Sequence, residues 1–219
     1  MESHANNEVE VKLRVADPAA LRRHLARLGF RPAAGGRVHE RNTLFDTPQG
    51  GLAKHGQLLR VRVEEPSGKA GDAGRAGKNR AVLTYKGPAE PAPATGGGQA
   101  KRYKVRQEIE AGVADPEELR LILEVLGLRG WFRYEKYRTS YRPPGKLRWA
   151  TGLQVELDET PIGVFVELEG PPEAIDRVAG LLGYSPADYI TKSYLALYLD
   201  QCRKQGLPAG DMVFPPRKK

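Results

Sequence analysis

The chain opens on a strict alternation. In Glu8-Val9-Glu10-Val11-Lys12 charged residues take turns with valines, the period-two pattern of a β-strand, so Glu8, Glu10 and Lys12 share one face and the valines the other. The pattern then changes to a helical one. Asp17-Pro18 precedes Leu21, Leu25 and Leu28, and Gly29 follows. Asp as N-cap, Pro at the first helical position and Gly as the stop predict a helix over 18–28, with Arg22, Arg23 and Arg27 on its polar face. Period two returns in strands over 38–46, 58–65 and 81–86. In the second of these Leu59, Val61 and Val63 alternate with Leu58, Arg60, Arg62 and Glu64. The cluster Asp46-Thr47-Pro48-Gln49-Gly50-Gly51 reads as a turn. Segments near 66–80 and 88–101, rich in Gly, Ala, Pro and Lys without a period, read as flexible loops.

The chain then repeats itself. Val15-Ala16-Asp17-Pro18 returns as Val113-Ala114-Asp115-Pro116. Leu21-Arg22, Leu25 and Leu28-Gly29 return as Leu119-Arg120, Leu123 and Leu126-Gly127. The offset is a constant 98 residues, and it carries Glu10 onto Glu108. A strand over 104–110 and a helix over 116–126 follow from this, then strands over 131–142, 153–158 and 163–169 and helices over 172–182 and 191–204. About eight strands joined mostly by short turns are best served by antiparallel closure, which removes the edges of the sheet. The expectation is an α+β fold: one internally duplicated antiparallel eight-stranded β-barrel with flanking helices. It spans residues 1–204 as a single domain, and a flexible tail follows over 205–219.

Composition narrows the chemistry. The chain has 219 residues, 40% of them hydrophobic and 28% charged, enough for a packed domain. No apolar run is long enough to cross a membrane as a helix, Met1–Asn7 carries no apolar leader core, and Cys202 is the single cysteine. These point to a cytoplasmic protein without a membrane partner. The net charge of +8 admits nucleic acid or anionic small ligands as partners. Interleaved carboxylates argue against nucleic acid. Gly77-Lys78 lacks the rest of a phosphate-binding loop, the four histidines share no metal spacing, and Ser193 has no nucleophile-elbow context.

The unusual feature is where the charges sit. Alternating inside predicted strands are Glu8, Glu10 and Lys12; Arg60 and Arg62; Thr84 and Lys86; Lys104, Arg106, Glu108 and Glu110; Lys136 and Arg138; Glu156 and Asp158; Glu167 and Glu169. Each series lies on one face of its strand. On the residues alone two arrangements stand. The charges either face water and pair across strands, each pair contributing a few tenths of a kcal/mol, or they line a wide lumen. A lumen of mixed charge is tolerable only if paired or filled, as by a polyanion with a hard divalent cation.

Glu8-Val9-Glu10-Val11-Lys12 matches the ExExK signature of the CYTH, or triphosphate tunnel metalloenzyme, superfamily. The resemblance continues through Asn42-Thr43-Leu44-Phe45-Asp46-Thr47, Leu58-Leu59-Arg60-Val61-Arg62, Thr84-Tyr85-Lys86-Gly87, Glu135-Lys136-Tyr137-Arg138, Val155-Glu156-Leu157-Asp158, Val166-Glu167-Leu168-Glu169 and Lys192-Ser193-Tyr194. That superfamily includes class IV adenylyl cyclases, thiamine triphosphatases and inorganic triphosphatases. The resemblance implies a tunnel with these charges inside. It implies Mg²⁺ or Mn²⁺ held by Glu8, Glu10, Glu108, Asp158, Glu167 and Glu169. It also implies a triphosphate or polyphosphate held by Lys12, Arg60, Arg62, Lys86, Lys136, Arg138 and Lys192, with Lys12 orienting or deprotonating the attacking water. Hydrolysis of a triphosphate is the expected reaction, with cyclisation of ATP or binding without turnover as the alternatives. A homodimer is compatible with all three.

Overall fold

The computed structural model describes residues 6–67, 79–89 and 102–216. The two expected loops fall almost wholly outside the described residues, as do Arg217, Lys218 and Lys219. Eight strands form one closed antiparallel barrel in the order β1-β5-β4-β3-β2-β6-β7-β8. They are β1 (Asn6–Arg14), β2 (Arg31–Asp46), β3 (Leu58–Pro66), β4 (Arg80–Lys86), β5 (Lys104–Val113), β6 (Arg129–Arg142), β7 (Gln154–Thr160) and β8 (Gly163–Glu169). Among the described residues five α-helices accompany them: α1 (Pro18–Arg27), α2 (Gly51–Lys54), α3 (Pro116–Val125), α4 (Pro172–Leu181) and α5 (Tyr194–Gln205).

The duplication is visible in this topology. Exchanging β1, β2, β3 and β4 for β5, β6, β7 and β8 maps the strand order onto itself. Corresponding residues then meet on the axis that relates the halves: Glu8 pairs with Arg106 in the β1–β5 ladder, and His39 pairs with Tyr137 in the β2–β6 ladder. The two repeated helices start alike. Asp17 accepts from the Ala20 amide at 2.9 Å, and Asp115 accepts from the amides of Glu117 and Glu118 at 2.9 and 3.0 Å.

The hydrophobic core lies outside the barrel. Val11 and Leu13 of β1, Val155 and Leu157 of β7, and Val166 and Leu168 of β8 turn outward. There they are covered by Leu21 and Leu25 of α1 and by Ile175 and Val178 of α4. Burying one outward face under helices is what frees the opposite face of each strand for charge.

Several boundaries differ from the sequence expectation. β2 begins at Arg31, earlier than the expected 38, because a register shift between Pro32 and Arg37 absorbs a stretch that reads as loop. The turn cluster after β2 contains the single-turn α2, whose first amides are taken by Asp46: its carboxylate accepts from Thr47, Leu52 and Ala53 at 2.7, 2.8 and 2.9 Å. The last helix begins at Tyr194 behind the cap Ser193, not at 191.

The expected flexible tail is corrected for residues 206–216. β7 pairs with β6 only from Tyr137 onward, which leaves backbone groups of β6 free at Arg133 and Glu135. The chain end takes them: the Met212 amide donates to the Arg133 carbonyl and the Glu135 amide donates to the Met212 carbonyl, both at 2.9 Å. An unpaired strand edge is a template for further pairing, and here the protein's own terminus occupies it.

Candidate active site: a charged cavity closed at one end

The even-numbered residues of β1 and their counterparts around the barrel enclose a cavity of about 450 Å³. Glu8, Glu10 and Lys12 line it, as do Arg60, Arg62, Lys86, Glu108, Lys136, Arg138, Glu167 and Glu169. β1 and β8 are neighbours, with Glu10 opposite Glu169 and Lys12 opposite Glu167. The four glutamates Glu8, Glu10, Glu167 and Glu169 therefore share one wall.

Almost every charge is matched. Lys12 Nζ stands 3.2 Å from Glu10 and 2.9 Å from Glu167. Glu10 also takes Lys104. Lys86 bridges Glu8 at 2.5 Å and Glu108 at 3.2 Å. Lys136 lies 2.9 Å from Asp158 and 3.4 Å from Glu40, and Arg138 takes Asp158, Glu156 and Glu167. Burial disfavours the charged form of each of these groups; it prevails at Glu8, Glu156 and Lys104, whereas the partners prevail at Glu10, Lys12, Glu40, Lys136, Arg138 and Glu167. Burial pulls Glu40 up, while Lys136 and Arg138 bring it down to about 2. Glu10 is likewise held below the usual carboxylate range by Lys12 and Lys104 against its burial. Burial disfavours the Lys12 ammonium, yet Glu10 and Glu167 raise its pKa above the usual lysine value. Lys12 therefore stays charged. A charged Lys12 supplies positive charge and can orient a water or a phosphate oxygen.

Glu169 behaves differently. Among the described residues it has no cationic partner closer than 4 Å. Burial, with Glu8, Glu108 and Glu167 nearby, pushes it up to about 8. Among the described residues no three acids converge as a ligand set.

One end of the cavity is closed. Leu44, Phe132, Tyr134, Ile162, Phe165, Tyr194 and Met212 form a buried apolar cluster drawn from β2, β6, β8, α5 and the chain end. Lys12 Nζ and Lys136 Nζ each lie 5.3 Å from the centre of the Tyr194 ring at this floor. Tyr194 donates to Asp158 at 2.8 Å. Arg60 is oriented from both sides, donating to the Tyr134 hydroxyl at 3.2 Å and to Thr84 Oγ1 at 3.1 Å. Its buried Nε–H, like that of Arg106, has no protein acceptor among the described residues, and both guanidinium groups face the cavity. Buried donors of this kind are satisfied by a ligand or by water.

Known proteins with this plan identify the family. The CYTH domain model matches residues 6–194. The chain belongs to the CYTH family. A Methanocaldococcus jannaschii protein provisionally named an adenylate cyclase is 24% identical over 201 residues, covering 87% of this chain and 97% of its own. The structure of the PH1819 protein of Pyrococcus horikoshii superposes with a TM-score of 0.66 at 24% identity, over 89% of this chain and 99% of that one. A Hippeastrum protein, provisionally named an adenylyl cyclase and described as revealing a dominant triphosphatase activity, superposes with a TM-score of 0.53 at 22% identity, over 92% and 97%.

Within the CYTH barrel, eleven of the thirteen residues expected at the site line the cavity. Two do not. Asp158 has the inward parity of β7 but is fully buried, held by Lys136, Arg138 and Tyr194; it fixes cations from behind. Lys192 is exposed and pairs with Asp200 of α5 at 2.5 Å. The residues after it, Ser193, Tyr194 and Leu195, line the cavity instead. The expected set also omits residues that the barrel brings in: Glu40, Glu64, Lys104, Arg106, Glu110, Glu156 and Arg142. Strand parity was the available signal for all seven.

Proposed function

We propose that this CYTH protein hydrolyses a triphosphate, inorganic tripolyphosphate or a small organic triphosphate, to a diphosphate and orthophosphate. One observation carries the reading: Lys12, Arg60, Arg62, Lys86, Lys136 and Arg138 converge on a single cavity closed at one end. Such an array matches a polyanion, with guanidinium groups able to take phosphate oxygens in pairs.

The residues present fit Mg²⁺ or Mn²⁺ as the resident ion. The acids are all oxygen donors, and Glu169, the one without a cationic partner among the described residues, holds its proton because it is buried, with Glu8, Glu108 and Glu167 adding to the effect. Glu169 would hold the ion, and Glu8, Glu10, Glu108 and Glu167 would join it only on leaving Lys12, Lys86 and Lys104, since no three acids converge among the described residues. When bound, it supplies Lewis-acid neutralisation of phosphate charge. Asp158 is too deeply held to join them.

The chain's own groups do the rest. Arg60, braced by Tyr134 and Thr84, and Lys136, braced by Asp158 and Glu40, are set before substrate arrives. They grip phosphate oxygens and take up the negative charge that spreads over the transferred phosphoryl group. In the hydrolytic step the water oxygen bonds the terminal phosphorus in line and the bridging P–O bond breaks. The electron pair leaves on the diphosphate, and the water's protons pass to solvent and product.

The name of the Methanocaldococcus protein favours cyclisation of ATP as a second reading, whereas the Hippeastrum protein, though named a cyclase, is described by a dominant triphosphatase activity. Cyclisation requires a ribose hydroxyl held in line with the α-phosphorus. The aromatic side chains lining the cavity, Tyr134 and Tyr194, have their hydroxyls engaged with Arg60 and Asp158. Hydrolysis needs no such grip. The test is to offer tripolyphosphate, thiamine triphosphate and ATP with Mg²⁺ or Mn²⁺ and to separate the products. Orthophosphate from tripolyphosphate supports hydrolysis. Cyclic AMP with pyrophosphate from ATP, and no turnover of tripolyphosphate, favours the cyclase. Tight binding of all three without products means a binding module.

A further inference from the structure

The duplication supplies an internal comparison for α3. Its inward row matches that of α1: Leu119 and Leu123 stand where α1 has Leu21 and Leu25. The outward row does not match. Arg23, His24 and Arg27 of α1 are replaced by Leu121, Ile122 and Val125. Leu121, Ile122, Val125 and Leu126 are 52%, 56%, 88% and 70% exposed. Their spacing of one, three and one residues puts them on a single stripe of the helix. The same element at the same place in each half therefore has a charged outer face once and an aliphatic one once.

Scattered apolar residues on a surface are ordinary, but a contiguous apolar stripe of a few hundred Å² marks an interaction face. The charges around this stripe select its partner. Glu118 precedes it by one turn and Arg129 follows it, and neither makes an ion pair among the described residues. On the flank, Arg120 is already satisfied within the helix by Glu117 and Glu124, at 3.0 and 2.6 Å. In chain order the stripe thus runs from an acidic residue to a basic one, and along its side one arginine is shared by two glutamates. Such a face complements itself when run antiparallel, whereas a parallel pairing sets like charges together.

We propose that α3 packs antiparallel against α3 of a second copy of this chain, about a two-fold axis, with Glu118 of each copy meeting Arg129 of the other. An isologous contact of this kind is the commonest route to a homodimer. The aliphatic stripe forms its centre and the charged pairs its rim.

Analytical ultracentrifugation of the full chain tests this. The wild-type protein is expected to be dimeric at micromolar concentrations. Leu121→Arg with Val125→Arg gives α3 the side chains that α1 carries at Arg23 and Arg27. It should leave the melting temperature unchanged and give monomers at the same concentrations. Arg129→Glu alone should weaken the dimer by about tenfold in Kd or more, and adding Glu118→Arg to it should restore association. A wild-type chain that stays monomeric at hundreds of micromolar overturns the proposal. If Leu121→Arg also lowers its melting temperature, the stripe is covered from within the same chain. A dimer untouched by all four substitutions likewise overturns it.

Discussion

Glu8 stands opposite Arg106 where β1 meets β5, and the two residues hold the same place in the two halves of the chain. The inversion of charge recurs at three further positions, although Glu10 maps onto the like-charged Glu108. Lys12 corresponds to Glu110, Glu40 to Arg138 and Arg60 to Asp158, each pair 98 residues apart. A barrel closed by two copies of one half brings equivalent positions near the same lumen. Opposite charge at those positions lets so many ions share a small volume. Most acids find a base, Glu169 excepted, and Lys12, Lys136 and Arg138 are favoured in their charged forms by their carboxylate neighbours.

Breaking one member of such a pair leaves its partner buried and uncompensated. Glu40 is 1% exposed and faces Lys136 and Arg138 at 3.4 and 3.6 Å. Glu40→Gln is expected to destabilise the fold by about 3 kcal/mol. Arg138→Met should be similarly costly, and the double variant should cost less than the two together by roughly 1 kcal/mol or more. Urea denaturation of the four proteins measures this; strict additivity would mean that the two side chains do not act as a pair.

The difference between Lys12 and Lys192 is a functional prediction. Lys12 lies buried on the cavity wall between Glu10 and Glu167, whereas Lys192 is exposed on Asp200. Lys12→Met should lower kcat/KM for the triphosphate by about a hundredfold or more, the loss of roughly 3 kcal/mol of transition-state stabilisation. Lys192→Met should change it by less than about twofold, in line with the small worth of an exposed pair. Steady-state phosphate release decides, and comparable losses in both would move Lys192 back into the site.

The chain end is a structural part. Met212 is 1% exposed in the floor cluster and joins the β6 backbone on both sides. Met212→Ala should lower stability by about 2–4 kcal/mol. Truncation after Gly206 should do more, because it also strips hydrogen bonds from Arg133 and Glu135. Thermal denaturation with and without tripolyphosphate reads both. A truncated chain as stable as the full one would contradict this role.

Asp46 gives a pH signature away from the cavity. Burial favours its neutral form, but the amides of Ala53, Leu52 and Thr47 outweigh it and depress its pKa. A depressed carboxyl contributes stability that is full above its ordinary pKa and is lost as the pH falls through the lower folded value. Asp46→Ala should therefore cost about 2 kcal/mol at neutral pH, and the gap to wild type should close as the pH drops below 3.8. A gap that widens in acid would contradict the assignment.

Strand parity carried most of this into view from sequence. Glu8, Glu10 and Lys12, Arg60 and Arg62, and Glu167 and Glu169 sit on the faces that their alternation assigns. Parity does not report depth along a strand, so Glu156 and Asp158 look alike in sequence although the first lines the cavity and the second lies beneath it. Lys192 was beyond reach for another reason: it precedes a helix cap, where no period fixes its direction. Pro32, Gly35 and Gly36 disguise the start of β2, and a lone Met212 between polar and proline-rich residues does not announce that it fills a floor. The helix outer faces of α1 and α3 were legible, but their contrast has meaning only once both inner rows are seen to pack on the barrel.

The central claim is that this cavity takes a triphosphate and cleaves its terminal phosphoanhydride. Phosphorus NMR of tripolyphosphate incubated with the full chain and Mg²⁺ or Mn²⁺ tests it most directly. The tripolyphosphate signals should decay while pyrophosphate and orthophosphate signals grow in equal molar amounts, and Lys12→Met should abolish the change. A tripolyphosphate spectrum that stays unchanged with the wild-type protein would contradict the claim.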